Sequence, residues 1–197
     1  MNTGRSITRL HRKYSPSDRV YDLVHTHSKI VHDIAMQLIA SSGFALDADL
    51  VKTGTMLHDI GAYPLFGSDD RLREGVDYIT HGVEGEAILR REGFPRKVCR
   101  MASHHTGVGI PKEEVKQQNI PLPLDDYLAE TDEELIIMYA DKFHSKTTPP
   151  YFNSFEWYKK YVSRFGDDKV EKFEEMRRKF GLPDLVILSR KYGHEIR

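Results

Sequence analysis

The chain has 197 residues and a formal net charge of −1, with 39% hydrophobic and 30% charged residues. That balance suits one domain able to bury a sizeable core, and argues against a disordered tail, a membrane-embedded bundle or a broadly basic nucleic-acid binder. The single cysteine, Cys99, excludes a disulfide framework and a thiolate zinc site.

Helix signals run through the chain. The basic N-terminal stretch lacks the apolar core of a signal peptide. Ser15, Pro16 and Asp18 read as a cap, a first-turn proline and a first-turn acid ahead of a helix that ends at Gly43. Asp47 caps a second helix, ADLVKTGTMLHD, stopped by Gly61, and residues 62–77 read as a loop. A third helix is expected from Ile79 to Glu92, closed by Gly93, and a shorter one from Pro95 to the SHHTG stretch. Residues 106–130, rich in Gly, Pro and acids, read as a long loop or lid. Thr131 and Glu134 have capping-box spacing before ELIIMYADKFHSK, a helix stopped by Pro149 and Pro150. Two amphipathic helices follow in NSFEWYKKYVSRFG and DDKVEKFEEMRRKFG. Their aromatics Phe155, Trp157, Tyr158, Tyr161 and Phe165 read as packing rather than as a base-stacking platform. The aliphatic run at 185–188 is far too short to span a bilayer. No repeat and no useful strand alternation is visible. The expectation is a cytoplasmic all-α protein, with a domain over 1–150 and a helical C-terminal appendage over 151–197 packed on it.

The chain carries ten histidines, and their placement is informative. His27 occupies the vacant step in the stripe Val20, Val24, Val31, Ile34, Leu38, so it points inward, whereas His25 and His32 lie off the stripe and are expected in solvent. His58 and Asp59 end a buried-looking helix, and Asp141 lies one turn beyond Ile137 and Met138. Ionisable groups on apolar faces need mutual satisfaction, and a divalent ion provides it: imidazole and carboxylate suit Mn, Fe, Co, Ni or Zn, and the lack of sulfur disfavours softer ions. His81, His104 and His105 form a second set that can hold a second ion with Asp59 bridging.

The ordered set His27, MLHDIG at 56–61, His81, His104-His105 and Asp141 resembles the HD superfamily of metal-dependent phosphohydrolases over roughly residues 20–148. The family fold is a helical bundle. By resemblance, His27, His58, Asp59 and Asp141 bind a first metal, and His81 with His104 or His105 a second, with Fe, Mn, Ni, Co, Zn or Mg as the ion. THGVEGEAILRREGFP, SHHTG and YADKF are similar to the branch that splits diadenosine tetraphosphate. Ala62 stands where cyclic-di-GMP phosphodiesterases of this superfamily have lysine, and their GYP element has no better counterpart than GVGIP at 107–111.

The resemblance implies hydrolysis of a phosphate ester or anhydride in a small, nucleotide-type substrate by metal-activated water. Asp59 and Lys142 would act in catalysis. Lys142, Lys146, Arg71, Arg73 and Thr106 would contact phosphate. Neither polymeric nucleic acid nor a membrane is an expected partner, and a homo-oligomer is compatible with the sequence. The same scaffold also serves di-iron oxygenases and regulatory modules whose metal is structural or lost, and fold analogy does not separate these.

Overall fold

The computed structural model describes residues 3–197, with side chains from Ile7 onward; Met1 and Asn2, the start of the basic stretch, lie outside the described residues. The first element, Thr3–Tyr14 (α1), was not expected from the sequence. Ile7, Leu10 and His11 are spaced to bury on one helical face, and the surrounding basic residues mask that stripe.

The long amphipathic segment forms Asp18–Ser42 (α2). Ser17, not Ser15, caps it: Ser17 Oγ accepts from Val20 N at 3.1 Å, while Ser15 Oγ donates to the Ser17 carbonyl. Gly43 closes it at φ 73°. Ala48–Leu57 (α3) is capped by Asp47, which accepts from Leu50 N at 2.9 Å. The segment expected to be a loop instead begins as a 3₁₀ helix, Ile60–Leu65, followed by an isolated bridge between Phe66 and Leu72. A 3₁₀ turn over Tyr78–Thr80 then leads into His81–Arg91 (α4), and Arg96–Ser103 (α5) follows.

Residues 106–130 are not featureless. They contain Lys112–Gln117 (α6), a bridge from Ile110 to Tyr127, and a small buried cluster of Ile110, Val115 and Tyr127. Asp132–Asp141 (α7) starts at the Thr131 cap, which accepts from Glu134 N at 3.2 Å. The capping box is not closed, because Glu134 turns to Glu130 N and to Arg100.

α7 stops well short of Pro149. Asn153 intercepts the next carbonyls, its side chain donating to Lys142 O at 2.7 Å and its backbone N–H to Phe143 O at 3.0 Å. The chain thereby turns into His144–Ser145 (β1), paired antiparallel with Tyr151–Phe152 (β2). Phe155–Val162 (α8), Asp167–Phe180 (α9) and Leu185–Tyr192 (α10) follow, and Glu195–Ile196 (β3) returns to lie parallel to β2. The fold is all-α, and among the described residues the only sheet is this one of two-residue strands.

α2 is the axis because its buried face serves two clusters. Its C-terminal half, Ile30 to Leu38, packs with α7 and with Phe152, Phe155, Phe173 and Phe180 from 151–197. Its N-terminal half packs with α1, the 60–65 turn, α4 and α5. Phe155 stacks on Phe173 at 4.7 Å, and a fully buried side chain of this kind contributes roughly 1.5–3 kcal/mol relative to exposure. Among the described residues, no helix is long and apolar enough to cross a membrane.

Candidate metal centre

Three local devices bring the site together. Mid-helix on α2, His27 is buried on the inward stripe. α3 ends at Leu57, so His58 and Asp59 occupy the turn into the 3₁₀ helix, where both are fully buried. Gly61 then lets that turn lie directly on the start of α4: a Cβ there would sit 2.1 Å from both His81 O and Gly85 N. Only glycine permits that approach, which brings His81 alongside Asp59.

Two sets result, joined at Asp59. In the first, His27 Nε2 lies 2.9 Å from Asp141 Oδ1, 3.2 Å from His58 Nε2 and 3.3 Å from Asp59 Oδ2. In the second, His81 Nε2 and His105 Nε2 are 3.0 Å apart, and Asp59 Oδ1 is 3.3 and 3.6 Å from them.

The protonation of the second set follows from its outer contacts. His81 Nδ1 donates to Tyr78 O and His105 Nδ1 to Ala102 O, each at 2.7 Å. A carbonyl only accepts, so the proton of each neutral imidazole is on Nδ1 and Nε2 is bare. Burial pushes His81 down to about 3 and pushes His105 down as well, so both are neutral near pH 7. Two lone pairs therefore face each other, and Asp59 Oδ1 is buried without a hydrogen-bond partner. Acceptors converging on acceptors require a cation.

The first set differs in that its carboxylates already meet Lys146 and Lys142, and what it concentrates is buried charge. Burial, then Lys146, pushes His27 down to about 4. Burial also opposes ionisation of the carboxylates, yet Lys146 and His58 hold Asp59 well below the usual range, and Lys142 and His27 do the same for Asp141. His58 is pushed up against its own burial by Asp59 and Asp141. The negative charge at the junction thus draws positive charge toward it, and the residues fit a divalent metal site. Both three-residue groups, His27–His58–Asp59 and Asp59–His81–His105, have ligand atoms within 4.8 Å of one another.

The other expected site residues divide sharply. His104 faces away: its Nε2 accepts from Arg100 at 3.0 Å and its Nδ1 bonds Ser103 Oγ at 2.6 Å. Lys142 donates to His105 O at 2.9 Å and to Asp141 Oδ2 at 2.7 Å, so it braces two candidate ligands. Lys146 donates to Asp59 Oδ2. Arg71 and Arg73 are exposed, and Arg73 bonds the Phe66 carbonyl. Thr106 is half-buried and borders a second hollow of about 520 Å³, together with Ile110 and Lys169.

A cavity of about 890 Å³ opens beside the first set, its lining including Asp141, Lys142, His144 and Lys146 together with Tyr151, Trp157 and Tyr161. Neither Arg71 nor Arg73 lines it; Arg19, Asp70 and Leu72 do. The aromatics read as packing are therefore split: Phe155 is buried in the core, Tyr158 is buried yet borders this cavity, Trp157 and Tyr161 reach it as well, and Phe165 is exposed. His25 and His32 are half-buried rather than solvated, His25 stacking on Tyr21 at 4.8 Å.

His144, His194 and Tyr78 were missed. His144 Nδ1 lies 2.9 Å from His27 Nδ1, His194 Nδ1 is 3.0 Å from His144 Nε2, and Tyr78 stacks on His81 at 4.8 Å. The available signal was the position of His144, three residues beyond Asp141.

A helical bundle with paired His/Asp sets meeting at one aspartate defines a metal-site protein of the HD type. The chain belongs to the HD domain family, which matches residues 24–146. Among curated proteins it is 37% identical over 129 residues to a tRNA (cytidine(56)-2'-O)-methyltransferase of Thermoplasma volcanium, covering 66% of this chain and 32% of that one. It is also 37% identical over 125 residues to an uncharacterized protein of Methanocaldococcus jannaschii, covering 64% of this chain and 66% of that protein. The chain thus spans about a third of the length of that methyltransferase. The HD domain of the L. monocytogenes phosphodiesterase PgpH shares the fold, with a TM-score of 0.55 at 16% identity, covering 94% of this chain and 98% of that one. A second structure of that domain, in complex with cyclic-di-AMP, has the same TM-score at 17% identity, covering 94% of this chain and 97% of that one.

Proposed function

We propose that this protein is a cytoplasmic, metal-dependent hydrolase of phosphate esters or anhydrides in small nucleotide-type substrates. The observation that carries this reading is the pair of bare Nε2 atoms, His81 and His105, facing each other and the unpartnered Asp59 Oδ1. His27, His58, Asp59 and Asp141 would hold one ion, and Asp59, His81 and His105 another. Such ions polarise a phosphoryl oxygen and lower the pKa of a bound water toward neutrality.

The protein's own groups supply the rest. Lys142, bonded to Asp141 and to the His105 carbonyl, fixes one ligand and the turn that carries the other. Lys146, at the cavity wall, is the cation best placed to meet a phosphate oxygen, a role that the exposed Arg71 and Arg73 do not share. Tyr151, Trp157 and Tyr161 add aromatic surface to the cavity lining, suited to a base. The cyclic-di-AMP seen on the PgpH domain supports a nucleotide in this kind of fold. The methyltransferase name of one relative belongs to a protein about three times the matched length, and methyl transfer is not carried over.

The test is hydrolysis of bis(p-nitrophenyl) phosphate, then of nucleotides and dinucleotides, by protein loaded separately with Mn, Fe, Co, Ni, Zn or Mg, with oxygen uptake followed in parallel. Metal-dependent phosphate-bond cleavage that is lost on chelation supports the reading. Oxygen consumption without cleavage, or turnover indifferent to metal, contradicts it.

A further inference from the structure

The four histidines of the two sets are not held alike. His58, His81 and His105 each donate Nδ1–H at 2.7 Å to the carbonyl of the third residue before them: Thr55, Tyr78 and Ala102. Each stands at a helix end or start, where such a bond is geometrically available. His27 lies in the middle of α2, where the nearby carbonyls already serve the helix. Its Nδ1 meets a side chain instead, His144 Nδ1 at 2.9 Å, and His144 Nε2 meets His194 Nδ1 at 3.0 Å.

We propose that His144 and His194 are positioning residues for the metal site, a side-chain relay that fixes the tautomer and orientation of His27. This rests on the metal reading above. With Nε2 of His27 facing the ion, its proton is on Nδ1 and is donated to His144 Nδ1. The proton of His144 then sits on Nε2 and is donated to His194 Nδ1. The order is set in one direction from the site to the C-terminus. Without an acceptor at His144, the alternative tautomer is available: His27 Nε2–H bonded to Asp141 Oδ1, 2.9 Å away. That bond satisfies both groups with a proton and withdraws two ligands from a metal.

The small sheet is the scaffold of this relay. β1 carries His144, and His144 pairs with Phe152 in β2. β3 lies against the other side of β2, so the residue before it, His194, stacks on His144 at 5.2 Å and 20°. Gly193 turns the chain at φ 71°, Ser189 Oγ donates to His194 O at 2.6 Å, and Arg197 exchanges backbone bonds with Phe152 O and Ser154 N at 2.9 and 2.7 Å. The last five residues are thus tied to a metal ligand on α2, giving the end of the 151–197 segment a role in the site.

The test is Mn titration of metal-free protein against a fluorescent chelator, for wild type, His144→Phe and His144→Gln. Removing a side chain that orients a metal ligand costs about 10- to 100-fold in affinity. His144→Phe is expected to weaken one binding step by that factor and leave the other within about twofold, and His144→Gln, which keeps an acceptor, to recover most of the loss. Equal weakening of both steps, no weakening, or no recovery in His144→Gln overturns the relay. Should His144→Phe fail to fold, nitrogen-15 NMR of the metal-free wild type decides: Nδ1–H on His27 with Nε2–H on His144 supports it, and the opposite tautomers overturn it. A wild type that binds no Mn, Fe, Co or Zn removes the underlying metal reading, whereas intact wild-type binding with an unaffected His144→Phe removes the relay alone.

Discussion

His104 and His105 are adjacent in sequence and both buried, yet they enter opposite kinds of polar cluster. On the His104 side every donor meets an acceptor. Arg100 donates to Glu134 at 2.7 and 3.1 Å, to Leu128 O at 3.1 Å and to His104; His104 donates to Ser103, and Ser103 to Glu86. On the His105 side bare nitrogens and carboxylate oxygens face one another. A buried cluster that is closed on itself is structural, and one that is open to a cation is a site. The difference lies in proton bookkeeping, since residue type and burial are shared.

The largest expected effect breaks the open cluster. Asp59→Ala removes the ligand shared by both sets, so metal content per chain should fall to near zero and activity with it, while the far-ultraviolet helical signal is retained. His105→Gln should lose at least one ion. Retention of full metal content in Asp59→Ala would mean that the sets are not what binds.

Breaking the closed cluster should have the opposite signature. Arg100→Ala strands the buried Glu134 carboxylate, which costs about 3–5 kcal/mol. Its denaturation midpoint should fall steeply, and the folded fraction should keep wild-type metal content. Loss of metal at unchanged stability would reverse the assignment.

A histidine outside both clusters isolates the effect of acid. His11 is buried, its Nδ1 accepting from Tyr63 Oη and its Nε2–H donating to Met56 O, both at 2.7 Å. Burial pushes it down to about 4, despite the bond to Met56. Between pH 6.5 and 4 the unfolded chain binds a proton that the folded one refuses, so stability falls as pH drops through that window and His11 adds nothing further below it. The cost is roughly 3 kcal/mol. Metal-free His11→Gln should show a flatter stability profile over that range; an unchanged slope would count against a neutral His11.

The smallest effect is His104→Gln. Replacing one hydrogen-bonding group with another in the closed cluster should cost about 1 kcal/mol by thermal unfolding and leave metal content and turnover at wild-type levels. A drop in metal content would place His104 back among the ligands.

His27 and Asp141 were legible as ionisable residues on apolar helical stripes, and His58 with Asp59 as an ionisable pair directly following an apolar helix; such interruptions show in the spacing alone. The HDIG segment also announced a turn, although α3 ends at Leu57 and not at the glycine expected to stop it; Gly61 lies within the following 3₁₀ helix and admits the start of α4. The choice between His104 and His105 was not legible: both follow the end of α5, and their directions depend on Arg100 and Glu134, a pair 34 residues apart. His144 carried a spacing signal, three residues beyond Asp141, but the expectation that α7 continues to the prolines hid the turn and the strand β1 that aim it. Asn153, which diverts the chain, acts through carbonyls that have no sequence signature. Two-residue strands leave no alternation to detect, so β1, β2 and β3, and with them His194, were invisible to pattern reading. Arg71 and Arg73 were expected at phosphate on charge alone, and the turn that carries them exposes both.

The most direct test of the central claim is elemental analysis of wild-type protein purified without added metal and without oxygen, and again after reconstitution. Two divalent ions per chain is the result expected from two sets sharing Asp59. No bound ion in either preparation would contradict it.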